Sequence, residues 1–273
     1  MFDVRDKVVL VTGAASGIGA ATAALLHRRG ARVALLDIDE TAMKDEHALA
    51  IGADVRDRTA MARAVDSVAA HFGRLDVVVA NAGIAPDPAT VRTIEPAAFD
   101  RVIDINLTGV FNTVQPALDQ IIRNHGHVLV VSSAAAFAPG AGLAAYMASK
   151  AAVEQLGRAL RIELAAVGAS AGVAYFGFVR TPLLRPIDED PLGRTVDALL
   201  PWPFSQRITA ERAAEVIANS IARRAATGFA PPAWQVYGML RGLVNVVVDG
   251  RAAASATVHG LIRAIEARVD DHA

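Results

Sequence analysis

Short apolar runs alternate with longer amphipathic stretches along most of the chain. Lys7–Thr12 is β-branched and flanked by charge, which predicts a first strand. The helical stretch AATAALLHRRG follows, and Ala31–Asp37 is a second strand that ends in an acid. Residues 40–47 leave room only for a short helix, and ALAIGADV supplies a third strand with Asp54 and Val55 at its end. Ala62, Val65, Val68, Ala69 and Phe72 repeat at helical spacing across Met61–Phe72. Arg74–Ala80 reads as strand four and runs into Asn81-Ala-Gly83. Residues 96–124 are predicted as one long helix with Asn106 in its middle, followed by the buried strand HVLVVSS. Helix AAYMASKAAVEQLGRAL and strand AGVAYF come next, then an amphipathic helix over Thr209–Arg224 with Thr209 as its N-cap. Ala233–Tyr237 is the expected last strand.

Strands alternating with helices imply an α/β fold. The expected architecture is a Rossmann-type, doubly wound parallel sheet of about seven strands with helices on both faces. Ligands of such sheets sit at the carboxyl ends of the strands, where Thr12, Asp37, Asp54 and Asn81 fall.

A chain of 273 residues, 53% hydrophobic and 20% charged, suits one large domain with a sizeable core. That domain is expected to span 1–273, with its core at about 5–237. A net charge of -1 gives no surface for nucleic acid. Without cysteine there are no disulfides or thiolate metal sites, and the chemistry below needs no metal. MFDVRDKVVLVTG places acids ahead of a short apolar run, unlike a secretory signal. No apolar stretch approaches the roughly 20 residues that cross a bilayer, so a soluble, cytoplasmic protein is expected.

Candidate chemistry begins at Thr12-Gly-Ala-Ala-Ser-Gly-Ile-Gly19. Gly13, Gly17 and Gly19 permit a tight turn and close approach of backbone to a ligand. The helix behind them aims free N–H groups and its positive dipole end at the same spot, as a pyrophosphate requires. Asp37 lies 18 residues after Gly19, where a carboxylate accepts from adenosine ribose hydroxyls and repels a 2′-phosphate. Neither Ile38 nor Asp39 offers that phosphate a cation, which favours NAD over NADP. Tyr146 and Lys150 stand one turn apart on a helix. A neighbouring ammonium is expected to ease ionisation of the phenol, making it a general acid/base near neutral pH. Ser133 offers a hydroxyl at a strand end. Ser132 is the alternative, and strand alternation turns the two to opposite faces.

These residues, in this order and spacing, resemble the single-domain branch of the short-chain dehydrogenases/reductases over about residues 5–237. The turn with Gly13, Ser16, Gly17, Ile18 and Gly19 is similar to the family's cofactor motif. Asn81, Ala82 and Gly83 are similar to the motif that stabilises its central sheet. Asn106 is 40 residues before Tyr146 and Ser133 is 13 before it, like the family's catalytic spacing. The resemblance implies a tetrad of Asn106, Ser133, Tyr146 and Lys150. In it Asn106 distorts its helix and supports a water relay, and Lys150 lowers the Tyr pKa and holds the nicotinamide ribose. It also implies Asp54 and Val55 as cofactor contacts, Val179 and Thr181 on the nicotinamide carboxamide, and a homodimer or homotetramer. NAD(H) and a small hydrophobic secondary alcohol or ketone would be the reactants. An NADP-dependent carbonyl reductase and a catalytically silent NAD-binding protein are the rival readings. For Asn106 a plain hydrogen-bonded core role also stands.

The chain departs from the family at Phe176 and beyond residue 238, and carries an apolar stretch at the lid position between them. Phe176 replaces the usual Pro of Pro-Gly-x-Val-x-Thr, which relaxes a fixed φ and restores an N–H. Residues 182–208, where the family carries its substrate lid, hold Leu183, Leu184, Leu192, Leu199, Leu200, Trp202 and Phe204 among five prolines. They are read either as an apolar lid or as core packing. Beyond residue 238 two apolar helical stripes follow: Leu240, Leu243, Val244 and Val247, then Val258, Leu261, Ile262, Ile265 and Val269. They are read as helices packed on the domain or a neighbouring subunit, or as a peripheral membrane contact.

Overall fold

The strands are Val8–Thr12 (β1), Arg32–Asp37 (β2), Leu49–Gly52 (β3), Val77–Ala80 (β4), His127–Val131 (β5), Ser170–Phe176 (β6), Val179–Arg180 (β7), Ile208–Thr209 (β8) and Thr227–Ala230 (β9). Seven of them form one parallel sheet in the order β3-β2-β1-β4-β5-β6-β9, while β7 and β8 pair separately. The computed structural model describes residues 2–43, 48–138, 140–185 and 200–270, together with the single positions 189, 192 and 195.

The near-continuous apolar runs follow from burial of both sheet faces. Val8, Leu10, Val78, Val128 and Val130 point to one side, and Val9, Val11, Val77, Val79 and Leu129 to the other. On the first side pack Arg58–Phe72 (α2), Gly109–Val114 (α4) and Ala144–Ala165 (α6), through Val65, Val114 and Val153. On the second side Gly17–Arg28 (α1) and Ala210–Arg223 (α7) lie against each other and the sheet, through Leu26 and Ile217. The doubly wound sheet expected from the sequence is the observed one. Strand order reverses between β1 and β4, which opens a crevice at their carboxyl ends.

Three expectations need correction. The long helix over 96–124 is broken. Pro96–Ile103 (α3) leads into a π-helical turn at Asp104–Thr108, then α4, a 3₁₀ turn at Gln115–Ala117, and Leu118–Arg123 (α5). Pro116 lacks the N–H that a continuous helix requires. The last strand is Thr227–Ala230, not Ala233–Tyr237. It pairs with β6 from Val173↔Thr227 to Phe176↔Ala230. Pro231 and Pro232 end it, and helix Ala233–Ala253 (α8) starts directly behind them, since Pro is well suited to a helix start. Of residues 40–47, Glu40–Ala42 form a single 3₁₀ turn, and 44–47 lie outside the described residues.

The two C-terminal stripes part ways. On Ala256–Asp270 (α9) Leu261 and Ile265 are buried; the side chain of Val269 lies outside the described residues. On α8, Leu240, Leu243 and Val247 are exposed, together with Met239 and Val246, and Trp234 is buried. Helical periodicity names the apolar face of a helix but not what covers it. Among the described residues no helix is long and apolar enough to cross a membrane.

Candidate active site

Thr12 ends β1, and its hydroxyl accepts from the backbone N–H groups of Asn81 and Ala82 at 3.1 and 3.2 Å. The Asn81 amide donates back to the carbonyls of Thr12, at 2.9 Å, and Gly13, at 3.3 Å. Asn81 therefore ties β4 to the glycine-rich turn at the point where the sheet order reverses. Gly13 has φ +66°, and a Cβ there would meet Ala82 Cα and Asn81 Nδ2 at 2.9 Å. A Cβ on Gly19 would overlap the Gly13 carbonyl. Gly19 thus packs the turn, whereas Gly13, Ser16, Gly17 and Ile18 line the crevice ahead of α1.

Asp37, at the end of β2, accepts from Ala15 N at 3.0 Å and from Asp39 N at 3.2 Å. Its carboxylate therefore belongs to the same turn. Asp54 also lines the crevice, but Arg56 already grips it, with Nε at 2.9 Å and Nη2 at 2.6 Å from Oδ2. The guanidinium holds the Asp54 carboxyl below the usual carboxylate range.

Ser133, Tyr146 and Lys150 meet on the other side of the same crevice. Ser133 Oγ donates to the Phe176 carbonyl at 3.2 Å and accepts from Ala135 N at 3.2 Å. Tyr146 keeps part of its surface open, while Lys150 is buried. The lysine donates to the Val131 carbonyl at 3.1 Å, and its Nζ lies 5.7 Å from the centre of the Tyr146 ring. The expectation of an easily ionised phenol is not met. The protein packed around Tyr146 raises its pKa, which the hydrogen bond with Ser133 only partly offsets. Burial pushes Lys150 down to about 8.

Asn106 sits in the π turn, fully buried behind the crevice rather than on its wall. Its Oδ1 accepts from Ile84 N at 2.8 Å, and its Nδ2 donates to Ile84 O at 2.9 Å and to Ser149 Oγ at 3.0 Å. Ser149 passes this on to the Tyr146 carbonyl at 2.7 Å. The side chain is thus a hydrogen-bonded core group that fixes Ile84 and the backbone beneath Tyr146. Ser132 donates to the Lys150 carbonyl at 2.8 Å, so it ties β5 to α6, and Ser133 is the hydroxyl that meets Tyr146 in the crevice.

The crevice, a cavity of about 390 Å³, is also lined by Val55, Ala82, Gly83, Val179 and Thr181. Thr181 closes toward the glycine-rich turn, its Cγ2 lying 3.2 Å from where a Gly17 Cβ would be. Phe176 is the last residue of β6, and its ring is buried. That position is regular strand, which a proline would interrupt. Of the lid stretch, Leu183 and Leu184 line the crevice, whereas Phe204 packs on Trp234, 4.9 Å between ring centres, and Trp202 is exposed. Leu199 lies outside the described residues. Sequence reasoning missed Arg56, Ile84, Arg101 and Ser149. Arg56 directly follows Asp54-Val55, and Ser149 stands one turn after Tyr146, so both had a local signal. Arg101 had none, because the π turn between it and Asn106 shifts the helix face.

The profile of the family described as short chain dehydrogenase matches residues 7–192. The chain belongs to the short-chain dehydrogenases. It is 40% identical over 194 residues to cis-4-hydroxycyclohexanecarboxylate dehydrogenase of Sinomonas cyclohexanicum, a match covering 68% of this chain and 78% of that one. To (-)-trans-carveol dehydrogenase of Rhodococcus erythropolis it is 32% identical over 261 residues, covering 82% and 94% of the two chains. A crystal structure of a short chain dehydrogenase from Mycobacterium paratuberculosis bound to NAD superposes with a TM-score of 0.72 at 28% identity, covering 84% of this chain and 97% of the other. This short-chain dehydrogenase is therefore an oxidoreductase, with its crevice where the fold places ligands.

Proposed function

We propose that this short-chain dehydrogenase uses NAD(H) to interconvert hydrophobic secondary alcohols and ketones, with Tyr146 as general acid/base. The observation that carries the reading is convergence. One crevice holds the glycine-rich turn and Asp37 at one end and Ser133, Tyr146 and Lys150 at the other. The residues fit a dinucleotide. Gly13 leaves bare backbone at the start of α1, and Asp37 presents a carboxylate beside it. Both relatives are named for dehydrogenation of an alcohol, and one solved neighbour carries NAD.

The bound nicotinamide would supply the hydride acceptor or donor. Tyr146 takes the proton of the alcohol during oxidation and returns it during reduction. Because packing raises its pKa, Tyr146 rests as the phenol, the form that reduction needs. Ser133 donates to the substrate oxygen, giving up its bond to the Phe176 carbonyl. Lys150, held by Val131, supplies positive charge behind the phenol and a donor for the nicotinamide ribose. Asn106 acts at one remove, by fixing Ile84 and, through Ser149, the backbone under Tyr146. Leu183 and Leu184 give the alcohol end an apolar wall.

One observation favours a second reading, dependence on NADP. Arg56 and Arg101 line the crevice as well. Arg56 is committed to Asp54, which weighs for NAD. Dihydronicotinamide absorbance with NAD and, separately, NADP across secondary alcohols of rising hydrophobicity tests both. Turnover with NAD that grows with apolar bulk is the expected result. Faster turnover with NADP would establish the second reading, and silence with both would refute the reaction.

A further inference from the structure

The family profile ends at residue 192, and α9 lies beyond it. This helix nonetheless packs on two segments that lead into the crevice, the loop after Ile84 and the turn ahead of Tyr146. Glu266 accepts from Thr90 Oγ1 at 2.8 Å and from Arg92, Nε at 3.2 Å and Nη2 at 2.9 Å. One residue earlier, buried Ile265 places its Cδ1 2.9 Å from where a Gly142 Cβ would be, with Pro88 at the same spot. Ala89 N donates to the Gly142 carbonyl at 2.9 Å, and Ala89 and Leu143 form a parallel bridge. Residues 88–92 are thereby clasped between α9 and the Gly142–Leu143 turn. Leu143 is the N-cap of α6, three residues ahead of Tyr146. At the other end of the same loop Ile84, which lines the crevice, is fixed by Asn106.

We propose that α9 is a positioning element for the alcohol end of the site, with Ile265 and Glu266 holding the loop 84–92 and the Gly142–Leu143 turn against the helix that carries Tyr146. Neither residue touches the reacting atoms. Their effect is on the wall that the alcohol meets, so it falls on the substrate and spares the adenosine end of NAD, which would lie on the turn after β1 and on Asp37 at the end of β2. The proposal rests on the alcohol-dehydrogenase reading above. The Arg92–Glu266 pair is partly exposed, and pairs of that kind add little to global stability. Its loss therefore loosens the loop without unfolding the chain.

The test is Glu266→Ala in the full chain, read by amide hydrogen exchange and by steady-state kinetics with a cyclohexanol. Exchange at Ala89 is expected to quicken by roughly tenfold, with amides of β1 and β5 unchanged. The KM for the alcohol is expected to rise about fivefold, while kcat and the KM for NAD stay within about twofold. Glu266→Gln, which keeps an acceptor for Thr90 but loses the charge facing Arg92, should fall between, and Ile265→Ala should repeat the pattern. Unchanged exchange at Ala89 would overturn the clasp. Faster exchange with equal shifts for alcohol and NAD, or none, would overturn the positioning role. Absence of turnover in the unmodified chain would instead refute the reaction, and the exchange result, which needs no turnover, would then decide the clasp alone.

Discussion

Lys150 holds its ammonium 5.7 Å from the centre of the Tyr146 ring and gives its hydrogen bond to the Val131 carbonyl at 3.1 Å. Strand β5, not the phenol one turn away, anchors the charge. Near neutral pH the pair rests as phenol and ammonium, because burial raises the first pKa and lowers the second only to about 8.

This burial makes the stability of the ligand-free chain depend on pH in a definite direction. Lys150 titrates near 8 when folded and near the ordinary 10.5 when unfolded. Between those values the unfolded chain binds the extra proton, so stability rises with pH across that window. Comparing urea unfolding of the unmodified chain with that of Lys150→Met cancels the other titrating groups. From pH 7 to pH 10 the unmodified chain should gain on the order of 2 kcal/mol over the variant. A difference that stays flat would contradict a lysine buried in this way.

In the proposed cofactor site Asp37 would join two duties, since the carboxylate offered to the ribose already holds Ala15 N and Asp39 N. Asp37→Ala should weaken NADH binding by about tenfold and narrow the preference over NADPH, because ribose acceptor and charge repulsion are lost together. Asp37→Asn keeps an acceptor and loses the charge, so it should spare NADH and improve NADPH. Titration of both nucleotides into the three proteins checks this. Tighter binding of NADPH by the unmodified chain would overturn the assignment of Asp37.

Asn106 is a buried node whose removal strands Ile84 N and Ile84 O together and leaves Ser149 Oγ only its bond to the Tyr146 carbonyl. Asn106→Ala should cost about 2 kcal/mol by urea unfolding, because each of the two stranded backbone groups of Ile84 carries a desolvation penalty of about 1 kcal/mol. Asn106→Leu refills the volume but leaves the same groups unpaired. It should therefore not recover the loss, and full recovery would show that volume rather than hydrogen bonding matters there.

Gly19 tests the turn. A methyl there overlaps the Gly13 carbonyl, so Gly19→Ala must push the turn away from β4. NAD affinity should fall by at least about tenfold, since the N–H groups of α1 would no longer be aimed at the phosphates. Calorimetric titration decides this, and unchanged affinity would show that the turn adapts.

Much of this architecture is legible in the sequence. The apolar runs at 8–12, 32–37, 77–80 and 127–131 read as strands buried on both faces, and Gly13, Asp37, Ser133, Tyr146 and Lys150 line one crevice, while Gly19 and Asn106 lie outside its wall. What stayed hidden depends on partners distant in sequence. The π turn at Asn106 is stabilised by Ile84, 22 residues away, and nothing in DINLT marks it. Strand Thr227–Ala230 is four residues long and its buried positions are Gly228 and Ala230, so its alternation in burial leaves no run of large apolar residues in the sequence, and pairing with β6 defines it. The rise in the Tyr146 pKa comes from burial, which the one-turn spacing to Lys150 does not report. The stripes of α8 and α9 read alike, yet among the described residues Leu261 and Ile265 are buried while Leu240, Leu243 and Val247 are exposed.

The central claim is that the Tyr146 hydroxyl moves the proton, and Tyr146→Phe removes that oxygen and nothing else. The measurement is NADH formation from a hydrophobic secondary alcohol, alongside calorimetric titration of NAD into the same variant. Turnover should fall at least roughly a thousandfold, as expected for loss of a general acid/base, while NAD affinity stays within about threefold. A variant that still turns over at the unmodified rate would contradict the account.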